Sequence, residues 1–336
     1  MEGLSLKDRL LNALLLKNVD RVPALSVTQT GTLELMKESN AYWPVAHRKA
    51  EEMAKLAYAA YSVAGLEAVR VPFGIYAEAE ALGCEIDYHE GETDRTPTVV
   101  KPASDPEKVE PVDPATGVMG AVIEATKILK SQVGEEVPVI AGVTGPFTLT
   151  CYVYGVEKAM VALITEPEKV EGVLTVSSRF LLDYCKLLVE AGADIISLLE
   201  PTSSIIGPDL FEKFNLEYIR TIANGIKALT VVHICGDSAP LVSMIAESGV
   251  KGLSVDQKVS IAEAKKLAKD KIAIIGNVDP VGVLQDGDPF QVESESRRII
   301  KEGVNVLAPG CGLSPYTPTI NLKVMVKTAR TMQVEA

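Results

Sequence analysis

The sequence predicts an eight-stranded (β/α) barrel, and three observations carry that expectation. Short apolar runs rich in Val, Ile and Leu alternate with helical patterns along the chain, an order that makes an all-parallel arrangement. The runs are apolar at nearly every position, as strands buried on both faces are. Polar residues gather where the runs end: Thr28, Gln29, Thr30, Glu200, His233, Cys235, Asp256, Asn277, Asp279 and Cys311 all finish or follow a run. A parallel barrel collects its chemistry on that face. A doubly wound open sheet is the alternative. It would give Cys311 no assured place near His233, and the chain shows no dinucleotide fingerprint and no internal repeat.

The elements follow in order. Ser5 caps a helix through Lys17, with Leu6, Leu10, Leu11 and Leu14 on one face. Val22 to Val27 is the first strand, leading into the polar loop Thr28-Gln29-Thr30-Gly31 and a helix from Thr32. A helix over Ala50 to Ala64 precedes the second strand, Glu67 to Phe73. Cys84 to Pro111 is irregular, with short extended pieces at Glu85–Tyr88 and Thr98–Lys101, and is expected to be an inserted hairpin or excursion. A helix over Gly117 to Val133 returns the chain to a third strand, Val137 to Val143; helices follow from Gly145-Pro146 and over Glu166 to Ala191. From there the alternation is regular. The strands are Ile195–Leu199, the run ending at His233 and Cys235, Gly252–Val255, Ile272–Gly276 and Val304–Ala308. The helices between them are centred on Asp209–Ala228, Ala239–Glu247, Ile261–Ala268 and Gln291–Glu302, and a last helix runs from Thr319 to Met332.

Composition narrows the function. At 336 residues, 47% apolar and 23% charged, the chain can bury a large core. It is read as a single domain over residues 1–336. A net charge of -12 argues against nucleic acid as a partner, which calls for a basic face. Met1-Glu2-Gly3 begins no signal peptide, and no stretch reaches the roughly 18 apolar residues of a membrane span. The expected setting is the cytoplasm, with no membrane partner. Five cysteines are too few, and odd in number, for a disulfide scaffold. Cys185 sits in a helical pattern, and Cys84 and Cys151 have no partner at metal-binding spacing, so all three are expected in the core.

Two cysteines are different. In Val231-Val232-His233-Ile234-Cys235-Gly236-Asp237, residues two apart on a strand point the same way, so His233 and Cys235 project together. A structural, hydrogen-bonded histidine is the common alternative, but the chain has only 3 histidines. Cys311 stands between Gly310 and Gly312, which let backbone come close. In a closed barrel the last strand brings Cys311 toward His233 and Cys235, giving one imidazole and two thiolates, a donor set suited to zinc. Two thiolates and a neutral imidazole neutralise Zn²⁺. Structural zinc sites are closed by four firm ligands, so three firm ligands point to catalysis.

The motifs His233-Ile234-Cys235-Gly236 and Ala308-Pro309-Gly310-Cys311-Gly312 resemble the zinc motif of the methylcobamide:coenzyme M methyltransferases, in the uroporphyrinogen decarboxylase-like barrel superfamily. Val27-Thr28-Gln29-Thr30-Gly31, Leu66 to Pro72, Gly252-Leu253-Ser254-Val255 and Ile275-Gly276-Asn277-Val278 are similar to that family too, and the similarity runs end to end. The resemblance implies a (β/α)8 TIM barrel of the uroporphyrinogen decarboxylase type, with an N-terminal helical extension and an inserted excursion around residues 84–111. It implies a zinc enzyme of methanogenesis from methylated compounds, moving a methyl group from a methyl-Co(III) corrinoid protein to the thiol of coenzyme M. The implied ligands are His233, Cys235 and Cys311. Asp256 stands where relatives carry an acidic residue and is the expected displaceable fourth ligand or proton acceptor, with Glu200 as competitor.

Other residues have two readings. Arg70, inside an apolar strand, is expected to hold the sulfonate of coenzyme M or a corrinoid phosphate, or else to be locked in a barrel salt bridge. Gln29 and Asn277 orient substrate, or satisfy loop backbone. Asp279 precedes Pro280 and reads as a turn residue. Three other functions compete. Uroporphyrinogen decarboxylase relies on arginines that Thr28-Gln29-Thr30-Gly31 lacks. A zinc methyltransferase acting on another thiol such as homocysteine, or with a folate as the other party, shares the motif. A non-enzymatic corrinoid-binding role leaves the zinc donor set without a purpose.

Overall fold

The computed structural model describes residues 3–110 and 112–332. The residues read for a signal peptide, Met1 and Glu2, and the last residue of the expected excursion, Pro111, lie outside the described residues, as do residues 333–336. The strands form where β-branched and aliphatic runs were expected. β1 (Val69–Val71) is followed by a hairpin of β2 (Glu85–Asp87) and β3 (Thr98–Lys101). Then come β4 (Val139–Thr144), β5 (Ile195–Leu199), β6 (Leu229–Ile234), β7 (Gly252–Val255), β8 (Ala273–Val278) and β9 (Val306–Pro309). Among the described residues β1 and β4 to β9 make one parallel sheet in sequence order, and β2 and β3 a separate antiparallel pair. Helices link successive sheet strands, so the sheet curls into a (β/α)8 barrel.

The expected first strand closes the barrel without being a regular strand. Between β9 and β1 it makes one bridge, Ala24 to Leu307. Leu25 N donates to Leu307 O at 3.0 Å, Leu307 N to Pro23 O at 2.9 Å, and Glu67 N to Ala24 O at 2.9 Å. Two local choices interrupt it. Pro23 has no N–H to give, and Ser26 Oγ accepts from Thr28 N at 3.1 Å, a side-chain bond that replaces a ladder bond. Glu67 pins this closure. Its carboxylate accepts from Arg21 Nη2 at 2.7 Å, from Ala24 N at 3.1 Å and from Arg330 Nε at 2.9 Å.

Alternation along the strands divides the core. Outward positions pack under the helices, while Leu25, Val27, Ala68, Ile140, Ile195, Val231, Ile275 and Val306 fill the lower barrel. The N-terminal helix, Leu6–Leu14, is capped by Ser5 and stops three residues short of the expected Lys17. It places Leu10, Ala13 and Leu14 against that lower layer, so it stoppers the end opposite the chemistry. The excursion is a hairpin inserted between β1 and its return helix, Gly117–Val133. It therefore belongs to a loop on the C-terminal face of the strands. The helix expected over Asp209 to Ala228 is broken into Pro208–Phe211, a π-turn at Glu212–Leu216, and Glu217–Gly225. The helix expected over Ala239 to Glu247 shrinks to a 3₁₀ turn at Ala239–Leu241 and a short helix at Val242–Ile245. Among the described residues no single helix is long and apolar enough to cross a membrane.

Candidate metal centre and active site

β6 ends at Ile234, with His233 buried on the inward face and Cys235 in the loop just beyond. β9 ends at Pro309, and its loop carries Cys311 back over the mouth. Gly310 permits this. A Cβ there would stand 2.7 Å from Gln257 N in the loop after β7, so a larger residue would push the two loops apart. The ligand atoms of His233, Cys235 and Cys311 all lie within 4.8 Å of one another. Cys235 Sγ is 3.3 Å from His233 Nε2 and 3.6 Å from Cys311 Sγ. In a tetrahedral zinc site with bonds of about 2.0–2.1 Å to nitrogen and about 2.3 Å to sulfur, those edges are about 3.6 and 3.8 Å. The three residues fit the ion with only a small spreading.

The next shell matches. Ser254 on β7 is paired with His233, and its Oγ lies 3.1 Å from His233 Nδ1. With the proton on Nδ1, Nε2 presents a lone pair to the two sulfurs, the arrangement a metal-binding histidine needs. The contact with Cys235 and the neighbouring His233 push the Cys311 thiol down against its burial, while the contact with Cys311 and burial push Cys235 up. The other cysteines behave as expected of core residues. Cys84, Cys151 and Cys185 are buried, and burial pushes the Cys84 thiol up to about 11 and raises the other two.

The remaining expected residues divide. Asp256 stands beside the cluster but outside the set of three. Its Oδ2 accepts from Gly236 N at 2.9 Å and its Oδ1 from Lys258 N at 3.0 Å, so it fixes the loop that carries Cys235. Glu200 is fully buried and committed. It accepts from Phe147 N at 3.0 Å, from Thr148 N at 3.0 Å and from Thr148 Oγ at 2.8 Å, where helix Pro146–Tyr154 begins. Burial pushes its carboxyl up to about 7 against those bonds. Asn277 donates to Asp256 O at 3.0 Å and Val259 O at 2.7 Å, and Gln29 bonds to the backbone of Gly31 and Leu313. Both follow the loop-satisfying reading, although Gln29 also faces the mouth. Asp279 accepts from Val281 N and Gly282 N at 2.9 Å, as a turn residue does.

Arg70, expected as an anion anchor or as a residue locked in the barrel by a salt bridge, is enclosed. It points into the barrel on the same face as Ala68 and is 1% exposed. Its guanidinium bonds Pro72 O, and Nε and Nη2 have no hydrogen-bond partner among the described residues. Burial lowers its pKa to about 9, with Glu78 acting the other way, so it stays a cation at neutral pH. Gly142 on β4 leaves the space it fills, since a Cβ there would lie 2.0 Å from Nη2. Sequence reading passed over Ser254 and Gly142. Ser254 lies on the strand next to His233 and two residues before Asp256. Gly142 is a glycine inside an apolar strand, the usual sign of a close approach.

A converged His-Cys-Cys cluster at the C-terminal mouth of a (β/α)8 barrel defines a class: barrel enzymes with a soft-metal donor set. The comparisons identify the family. Residues 5–332 match the family model described as uroporphyrinogen decarboxylase (URO-D), and the chain belongs to that family. It is 42% identical over 333 residues to the methylcobamide:CoM methyltransferase MtbA of Methanosarcina acetivorans, covering 96% of this chain and 97% of that protein. It is 39% identical over 333 residues to the methylcobamide:CoM methyltransferase MtaA of Methanosarcina barkeri, covering 97% of this chain and 98% of that one. A solved methyltransferase from Methanosarcina mazei has a TM-score of 0.94 at 37% identity, covering 98% of this chain and 99% of that chain. Within the family the chain belongs with these methyltransferases, and it is a methyltransferase.

Proposed function

We propose that the chain, as one barrel domain in the cytoplasm, is a zinc-dependent methyltransferase that moves a methyl group from a methyl-Co(III) corrinoid protein to the thiol of coenzyme M. The observation that carries this reading is the convergence of His233 Nε2, Cys235 Sγ and Cys311 Sγ within 4.8 Å, in a chain 42% identical to a methylcobamide:CoM methyltransferase. Those three residues would hold the zinc. A bound zinc favours the thiolate of a coordinated thiol at neutral pH, which is the form that reacts.

The chain's own residues do the rest. Ser254 fixes the His233 ring so that Nε2 faces the sulfurs. Asp256 holds the Cys235-Gly236 loop through Gly236 N. Each of its oxygens accepts one bond and keeps a lone pair, so it can take the fourth position and then accept the thiol proton. Asn277 orders the Asp256 backbone and thereby that carboxylate. In the transfer itself the coenzyme M sulfur attacks the methyl carbon. The new S–C bond forms as the Co–C bond breaks, and its electron pair stays on cobalt, taking Co(III) to Co(I).

The test combines zinc content and turnover. Wild-type protein should carry about one zinc per chain and methylate coenzyme M from free methylcobalamin faster than it methylates homocysteine. Cys235→Ala and Cys311→Ala should lose both metal and transfer. Asp256→Ala should retain most of the zinc and transfer more slowly. Full zinc and normal rates in both cysteine variants would end the reading; a preference for homocysteine would move it to that thiol.

A further inference from the structure

The two sulfurs of the cluster are neighbours as well as candidate ligands. Cys235 Sγ and Cys311 Sγ are 3.6 Å apart. A disulfide bond is about 2.05 Å long, so a further approach of about 1.5 Å would let them bond. We propose that the pair is a site of reversible oxidative modification: a low-molecular-weight disulfide converts Cys235 and Cys311 to an intramolecular disulfide, which switches the metal site off. The inference goes beyond the methyltransferase reading and rests on it only for the ion that is released. The pairing of the sulfurs needs no metal.

The backbone permits the approach. Neither cysteine lies in the sheet: β6 ends at Ile234 and β9 at Pro309, so each sulfur is carried by a loop. Gly236, at φ 72°, follows Cys235, and Gly310 and Gly312 flank Cys311. Glycines give these loops the freedom to take up a small shift while the strands stay fixed. Both side chains are half-buried at the barrel mouth, where a small molecule from solvent can reach them. The other cysteines have neither advantage. Cys151 and Cys185 sit inside the helices Pro146–Tyr154 and Pro167–Glu190, and Cys84 is buried just before β2.

The exchange is two successive displacements. One cysteine thiolate attacks a sulfur of R–S–S–R. That S–S bond breaks, R–S⁻ leaves with the electron pair, and a mixed disulfide forms on the protein. The second thiolate then attacks the protein sulfur of the mixed disulfide and expels a second R–S⁻. The two cysteines lose two electrons, and one small disulfide is reduced to two thiolates. Pairing removes both sulfur donors and leaves His233 alone, so an ion held by the cluster is released. An excess of R–SH runs the exchange backwards. The cluster would thus follow the thiol–disulfide balance of the pool that supplies the acceptor thiol.

The test uses the full chain as isolated, treated without oxygen with the disulfide of 2-mercaptoethanesulfonate, then denatured, alkylated and weighed. Alkylation should fall from five cysteines to three. Digestion should give a peptide pair joined through Cys235 and Cys311, and excess 2-mercaptoethanesulfonate should restore every thiol. Zinc, followed with a chelating dye, should appear in solution in step with the loss of thiols. In Cys311→Ser the reaction should stop at a mixed disulfide on Cys235. A full count of alkylated cysteines after treatment, a wild-type product that stops at mixed disulfides, or a link through Cys84, Cys151 or Cys185 would overturn the proposal. Pairing in a protein that carries no zinc would uphold the modification while sinking the metal reading. Zinc-loaded protein that keeps every thiol would sink the modification and leave the metal reading standing.

Discussion

His47 shows how much a single buried side chain can decide. It lies among Trp43, Phe73 and Tyr76, with ring centroids 4.7, 6.1 and 5.6 Å away, and neither ring nitrogen has a partner among the described residues. Burial lowers its pKa from 6.5 to about 3, with Arg48 adding to the effect. A histidine depressed in this way stabilises the fold above the unfolded value of 6.5. That stability is lost as pH falls toward 3, because the unfolded chain takes up the proton first. Between pH 7 and 5 the loss is about 2 kcal/mol. In His47→Phe the drop in urea stability over that interval should shrink by about that amount; an identical drop in both proteins would show that His47 does not titrate on unfolding. At this scale the sequence was informative where a repeat fixes direction. Strand alternation put His233 and Cys235 on one side, and barrel closure brought Cys311 to them. It was silent on the enclosure of Arg70, which depends on Gly142 in the neighbouring strand and which no periodicity encodes.

Elements were legible where one pattern ran without interruption, and blurred where local chemistry intervened. Gly117–Val133 and Ile195–Leu199 form with the bounds read from periodicity. Val22 to Val27 has a strand's apolar pattern, yet Pro23 and the Ser26 side chain interrupt its ladder. The N-terminal helix is the clearest case of an element whose job comes from packing. Leu10 and Leu14 are almost fully buried against Leu25, Ile140, Val231 and Ile275, and a Cβ on Gly252 of β7 would stand 3.1 Å from Leu14 Cδ2. Leu14→Ala should therefore cost about 2–5 kcal/mol in unfolding free energy, through lost burial and an unfilled cavity. Zinc content and KM for the thiol should stay as in the wild type, since the cluster is at the other end of the barrel. A stable variant that fails to retain metal would show that the two ends are not independent.

At the scale of the whole molecule the two ends of the barrel differ in what they can receive. The lower end is stoppered by Leu6–Leu14, with Arg9 Nε bonded to Asp20 at 2.7 Å. The upper end carries the cluster, and exposed apolar side chains surround it on the loops and first helical turns after the strands: Ile205 after β5, Val281 and Phe290 after β8, and Tyr316 and Ile320 after β9. The last two sectors are tied together, because Asn321 Nδ2 donates to Leu284 O at 2.9 Å and Gly287 O at 2.8 Å. Phe290 is the most exposed of these, at 79%. The proposed transfer needs sulfur, carbon and cobalt in line, which would bring the corrinoid over this face. Cross-links between the chain and a corrinoid protein should map to these loops, and Phe290→Glu should slow transfer from the protein-bound cofactor by about tenfold, the loss of one well-packed contact residue. The same variant should use free methylcobalamin at the wild-type rate, because Phe290 is not part of the His233, Cys235 and Cys311 cluster. Cross-links confined to the Leu6–Leu14 end, or an equal loss with both donors, would place the partner elsewhere on the barrel.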